Sequence, residues 1–139
     1  MNDGTRILIA KLGLDGHERG ARMVVRSLQD EGFDVKYSGI RQSPEEVAEL
    51  VRVNEAEILG ISILSGAHNS LIPKVMDAMH DQNLNDVPIV VGGIIPDEDH
   101  YRLLESGVAA VFGPGTKMAD VIKVMKALAN GGRKRPKKQ

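Results

Sequence analysis

Short apolar runs rich in branched residues alternate along this chain with longer stretches of amphipathic spacing, and that alternation leaves few folds open. The β-rich runs are Arg6–Leu12, Asp34–Ser38, Ile58–Leu64, Val87–Val91 and Ala110–Phe112. Between and after them stand Arg19–Glu31, Pro44–Asn54, Ser70–Gln82, Asp97–Ser106 and Met118–Ala129. The first amphipathic stretch sets Ala21, Val24, Val25 and Leu28 on one helical face. Ser43-Pro44-Glu45-Glu46 reads as an N-cap, a proline at the first helical position and an acidic first turn. Gly32 and Gly107 stand where helix-ending glycines belong. Repeated βα units with strands apolar almost throughout predict a parallel sheet covered on both faces. Right-handed crossovers then select a doubly wound α/β sandwich, and one domain of 139 residues is expected to take the flavodoxin-like strand order.

Composition excludes several function classes. The longest apolar runs, such as Ile7-Leu8-Ile9-Ala10, fall far short of the ~20 residues of a membrane span. No signal peptide is readable, because Lys11 and Asp15 interrupt the first apolar stretch. The chain has no cysteine, which removes disulfides and thiol catalysis and suits a soluble protein of the reducing cytoplasm. Only four aromatics (Phe33, Tyr37, Tyr101, Phe112) stand against fifteen glycines, as expected where backbone approaches a ligand closely. Residues 1–129 carry thirteen basic and nineteen acidic side chains, a balance of −6, whereas 130–139 carry five basic residues and no acid. We therefore expect a folded domain over 1–129 and a basic, flexible tail over 130–139. The tail has no interleaved aromatics, so it reads as a solvated end or a contact with an acidic partner rather than a nucleic-acid site.

In open α/β sheets ligands bind beyond the carboxyl ends of the strands. Small residues gather at that edge: Gly13, Gly16 and Gly20 after the first strand, Gly66 after the third, Gly92-Gly93 after the fourth, and Gly113 and Gly115 after the fifth. The first loop has neither GxGxxG nor GxxxxGK[ST] spacing, which argues against a dinucleotide or NTP site. A receiver domain needs an aspartate at the end of the third strand, and Ser62-Ile63-Leu64-Ser65 supplies none. An FMN site would want a hydroxyl-rich first loop and flanking aromatics, both absent. What remains is Lys11, Asp15 and His17. A carboxylate two residues from a histidine can hold one ring nitrogen and leave the other for a metal, although a lone D-x-H also serves as a turn device. A zinc site lacks ligands, since His68 is the one other nearby donor.

Asp15-Gly16-His17-Glu18-Arg19-Gly20, then Ser62-Ile63-Leu64, then Gly92-Gly93 match the DxHxxG, SxL and GG signature of cobalamin-binding domains. The resemblance runs from about Thr5 to Ala129. It is nearest to the methylmalonyl-CoA mutase and 2-hydroxyisobutyryl-CoA mutase type, through Lys11 to His17, Ile94-Ile95-Pro96 and Val111 to Thr116. It implies adenosylcobalamin as cofactor, with His17 as the lower axial ligand of cobalt in the base-off, His-on mode. Asp15 would hold the other imidazole nitrogen and Lys11 would extend that chain. Ser62 and Leu64 would line the slot for the displaced nucleotide tail, beside a backbone kept bare by Gly92 and Gly93. Gly20 would complete the first motif, and Thr116 would offer a polar contact.

In such enzymes a radical rearranges a CoA thioester inside a TIM barrel, which needs ~250 residues and has no room here. The resemblance therefore implies a small subunit, with no catalytic side chain of its own, that works with a large barrel subunit. The assembly would be a hetero-oligomer, a heterotetramer, with the acyl-CoA held by the partner. A carrier or sensor of cobalamin without mutase activity is the alternative. Of the other histidines, His68 is expected to cap or orient the loop after the third strand, while His80 and His100 fall on helix surfaces. Met76, Met79, Met118 and Met125 read as core or interface packing.

Overall fold

The computed structural model describes residues 4–12, 19–63, 68–113 and 115–133, with residues 131–133 described through the backbone alone. In chain order the elements are β1 (Arg6–Lys11), α1 (Arg19–Asp30), β2 (Asp34–Tyr37), α2 (Pro44–Asn54) and β3 (Ile58–Ile63). They continue as α3 (His68–Asp81), β4 (Ile89–Gly93), α4 (Asp97–Glu105), β5 (Ala110–Phe112) and α5 (Met118–Arg133). The strands form one parallel sheet in the order β2-β1-β3-β4-β5, the expected flavodoxin-like arrangement. The chain steps outward from β1 to β2 and then returns past β1 to β3. The carboxyl ends of β1 and β3 are therefore the switch point where such sheets bind ligands.

Strand alternation sorts the apolar side chains into two layers. Leu8, Ala10, Leu59, Ile61 and Val91 pack with α2, α3 and α4, including Val47, Val75 and Leu103. On the opposite face Ile7, Ile9, Ile58 and Val90 pack with Leu28 of α1 and with Val121, Met125 and Ala129 of α5. Local signals lie where the sequence puts them. Ser43 Oγ accepts from the Glu46 N–H at 3.1 Å while Glu46 Oε1 accepts from the Ser43 N–H at 2.8 Å, a closed capping box. Gly32 and Gly107 both take positive φ just beyond α1 and α4.

Several ends differ from expectation by a residue, and a few by more. β4 begins at Ile89 rather than Val87, because Pro88 has no N–H to give; its carbonyl still accepts from Leu59 N at 2.9 Å. α3 begins at His68, two residues before Ser70. α5 runs to Arg133, one turn past Ala129. Gly131 and Gly132 lower helix propensity by about 1 kcal/mol each relative to alanine, yet they do not bar helical backbone. Leu64, expected to end the third strand, lies outside the described residues, as do 134–139 of the tail. No described helix is long and apolar enough to cross a membrane.

Candidate functional site

The strand register draws residues that are remote in sequence into one row. Lys11 pairs with Ser62, Ser62 with Gly92, and Gly92 with Phe112, four neighbours across the carboxyl end of the sheet. The row beneath reads Ile9, Gly60, Val90, Ala110. Between these rows and helices α1 and α5 opens a cavity of about 280 Å³. Gly60, Ser62 and Gly92 wall it on the sheet side, and Ala21, Val24, Val121 and Met125 on the helix side. Among the described lining residues only Ser62 and Thr116 carry polar side chains. A narrow apolar slot with two hydroxyls suits a long, flat, largely apolar group held by few polar anchors.

The glycines of this wall have different reasons to be bare. A Cβ at Gly60 would stand 2.8 Å from Ile9 Cδ1, so the slot floor depends on its absence. At Gly93 φ is +142° and a Cβ would fall 1.8 Å from the Ile63 carbonyl oxygen, so no side chain fits between β4 and β3. Gly92 is unlike both. A Cβ there would make only ordinary contacts, the nearest 3.7 Å from Phe112 Cβ, so on protein grounds alone it could exist. Since Gly92 stands in the row that faces the slot, that Cβ would occupy ligand space.

Other expected site residues are placed as follows. Lys11 has no exposed surface, and its backbone N–H donates to Ser38 Oγ at 3.2 Å. A buried ammonium is tolerated only with partners, and strand alternation sets it on the slot face. Asp15 and His17 lie outside the described residues, in 13–18, between Lys11 at the end of β1 and Gly20 on the slot lining. Leu64 lies outside them as well. Ser62 is half-buried. Thr116 is exposed in the turn before α5, its N–H donating to the Gly113 carbonyl at 3.2 Å. Among the described residues no cluster of three His, Asp or Glu could hold a metal ion.

Sequence reasoning missed part of the lining. Met118 and Met125 are core residues as expected, yet they also wall the slot, as do Ala21 and Val24. The spacing of Met118, Val121 and Met125 put them on one face of α5, but only the sheet order shows which cavity that face closes. His68 was also underestimated. It is 3% exposed, and its Nε2 donates to Asp99 Oδ2 at 2.8 Å. That hydrogen bond is the main reason the Asp99 carboxyl is held below its usual range, with Arg102 and the Asn69 side chain adding to it against the cost of desolvation. His100, expected at a helix surface, is half-buried and donates from Nε2 to the Ile95 carbonyl at 3.1 Å. His80 is exposed, as expected.

Comparison with known proteins bears on this slot. Residues 5–123 match the family model described as B12 binding domain. The chain is 38% identical over 130 residues to the 2-hydroxyisobutanoyl-CoA mutase small subunit of Aquincola tertiaricarbonis, covering 92% of this chain and 96% of that one. It is 41% identical over 129 residues to the methylmalonyl-CoA mutase of Rhizobium meliloti (strain 1021), covering 93% of this chain but only 18% of that enzyme. The fold is shared with a cobalamin-binding protein from Desulfitobacterium hafniense DCB-2, at a TM-score of 0.78 and 22% identity, over 91% of this chain and 60% of that one. A match over most of its length, together with a small-subunit relative matched almost end to end, makes this chain a member of the B12-binding domain family.

Proposed function

We propose that this chain is the adenosylcobalamin-binding small subunit of an acyl-CoA mutase, of the methylmalonyl-CoA or 2-hydroxyisobutyryl-CoA type. The observation that carries the reading is the glycine-walled slot at the β1/β3 switch point, with Ser62 and Gly92 in one row beside buried Lys11. The residues fit the group: the space kept open where a Cβ at Gly92 would stand, in a largely apolar slot, would accept the flat base of the nucleotide tail of a base-off cobalamin. Ser62, Leu64 and Thr116 would hold that tail, Gly92 and Gly93 would lie against it, and Gly20 would stand at its mouth. His17 would bind cobalt, Asp15 would hold the other imidazole nitrogen and so fix the tautomer, and Lys11 would extend that hydrogen-bonded chain. The bound cofactor supplies radical chemistry by homolysis of its cobalt–carbon bond.

The chain's own work is to bind, to orient the imidazole and to keep water from the tail; it provides no catalytic side chain. The reaction would take place in a TIM-barrel partner that holds the acyl-CoA. The full correspondence with a mutase small subunit supports that division, as does the presence of the same stretch inside much longer mutases. The basic residues beyond Ala129 would meet an acidic surface of that partner, in a hetero-oligomer such as a heterotetramer, in the cytoplasm.

Reconstitution tests the reading. The purified chain, mixed with hydroxocobalamin and then reduced, should show a base-off spectrum and cobalt EPR split by a histidine nitrogen. Labelling histidine with 15N should alter that splitting, and His17→Ala should abolish it. A base-on spectrum, or no binding, overturns the proposal. Binding without a co-purifying barrel subunit would favour a carrier.

A further inference from the structure

The two edges of the sheet are finished differently. β2 ends it on one side, where Asp34 and Lys36 are exposed and paired at 3.9 Å. Charge on an edge strand discourages pairing with another chain. β5 ends it on the other side with Ala110-Val111-Phe112, half-buried throughout and without a charge. The helices beside β5 extend that apolar edge. Of the large apolar side chains exposed among the described residues, Met23, Val53 and Ile94 stand apart, on α1, on α2 and after β4. Tyr101 and Leu104 instead are neighbours one turn apart on α4, at 69% and 46% exposure.

Contacts fix which way each helix flank faces. Around the axis of α4, at about 100° per residue, the order runs Asp99, Leu103, His100, Leu104, Tyr101. Asp99 meets His68 of α3, Leu103 is buried beneath the helix, and His100 Cε1 stands 3.2 Å from where a Cβ at Gly113, just after β5, would be. Leu104 and Tyr101 therefore lie beyond His100, on the flank turned from α3 toward the open edge. In α5 the order is Lys126, Met125, Leu128, Val124. Lys126 Nζ reaches Glu31, just past α1, at 3.0 Å, and Met125 is buried. Half-buried Leu128 and Val124 thus occupy the flank turned from α1 toward β5.

An apolar band crosses the edge from α4 over β5 to α5, and its two banks carry opposite charge. α4 holds Asp97, Glu98, Asp99 and Glu105 against Arg102. On the other bank Lys117, Lys123 and Lys126 stand against Asp120, all of them exposed. Asp97 falls between Leu104 and Tyr101 around α4. Lys117, whose carbonyl accepts from Val121 N at 3.2 Å, falls between Leu128 and Val124 at the start of α5. A surface acidic on one bank and basic on the other is complementary to itself after a half-turn.

We propose that a second copy of this chain docks on the β5 edge, about a two-fold axis parallel to the strands, with the acidic α4 of each copy against the basic α5 of the other. Tyr101 and Leu104 of one copy then cover Val124 and Leu128 of the other, and Asp97 meets Lys117. Because the axis follows the strands, both slots open at the same end of the pair. This docking is independent of the cobalamin reading and needs no cofactor.

Sedimentation velocity on the full chain tests it. Between about 1 and about 300 µM the mass should rise from that of one chain toward that of two. Tyr101→Ser combined with Leu104→Gln should leave Tm within about 3 °C of wild type and hold the chain as a monomer. Asp97→Lys and Lys117→Glu should each raise the dimer Kd by about fivefold or more, and together should return it to near the wild-type value. If Asp97→Lys does not fold, Asp97→Ala and Lys117→Ala serve instead, and there the second substitution should add no further loss. A wild-type chain that stays monomeric throughout overturns the proposal, including one whose edge is covered only by a large subunit. So does a dimer that survives the Tyr101 and Leu104 substitutions, or charge variants whose effects simply add.

Discussion

At the scale of single residues, a methyl group added to Gly92 and one added to Gly93 should have opposite consequences. Gly92→Ala meets only ordinary contacts within the protein, so it should fold with near wild-type stability and lose cobalamin affinity, since its Cβ takes ligand space. Gly93→Ala must displace the Ile63 carbonyl, and must do so at a φ of +142°, a backbone conformation that side chains rarely adopt. It should lower unfolding free energy by about 3 kcal/mol or more. Urea denaturation and cofactor titration on both variants check the pair, and a stable Gly93→Ala or a fully binding Gly92→Ala would contradict it. The sequence makes the doublet conspicuous, but not the difference between its members. That difference depends on which β3 atom lies beside each glycine, a matter of register that no local pattern contains. Lys11 shows the same division: its nearness to Asp15 and His17 is legible, whereas its complete burial follows from where β1 stands in the sheet.

At the scale of elements, strongly periodic segments were legible and their ends less so. The capping box of α2 could be read directly from Ser43 to Glu46, because both of its bonds are local. The shift of β4 follows from Pro88, which has no N–H to give the ladder and offers only its carbonyl to Leu59, whereas the early start of α3 comes with a contact remote in sequence, between His68 and Asp99. That second contact carries an acid-stability prediction. The Asp99 carboxyl is held below its ordinary range, first by the hydrogen bond from His68. Its folded-state pKa therefore lies under its unfolded one, and the stability it contributes is present above the unfolded value and lost as pH falls through the folded value. Thermal melts from neutral to acid pH should show wild type and Asp99→Asn converging as the pH drops. A constant gap between the two curves would mean that Asp99 contributes no proton-linked stability.

For the molecule as a whole, the alternation of strands and helices was enough to derive the doubly wound sheet, because each apolar run needs cover on both faces and crossovers have one hand. The slot was only half legible. Its glycines and Ser62 mark the carboxyl edge, yet its helical wall became visible only once α1 and α5 were seen to share one face. A slot within a single cooperative domain couples binding to global stability. Hydroxocobalamin at about a hundred times Kd should stabilise the fold by about 2.7 kcal/mol, read as a higher Tm in calorimetry. A Tm independent of cofactor concentration would argue against binding in the slot between the sheet and its helices.

The row from Lys11 to Phe112 has one more consequence, for folding fidelity. A slip of β3 by one residue would replace Ser62 in that row with Ile61 or Ile63, and turn a branched side chain into the opening that Gly60 and Ser62 leave. A misregistered molecule would have no slot to fill. Mass action by the cofactor would therefore draw the population toward the one register that presents it, so that loading the ligand also proofreads the sheet.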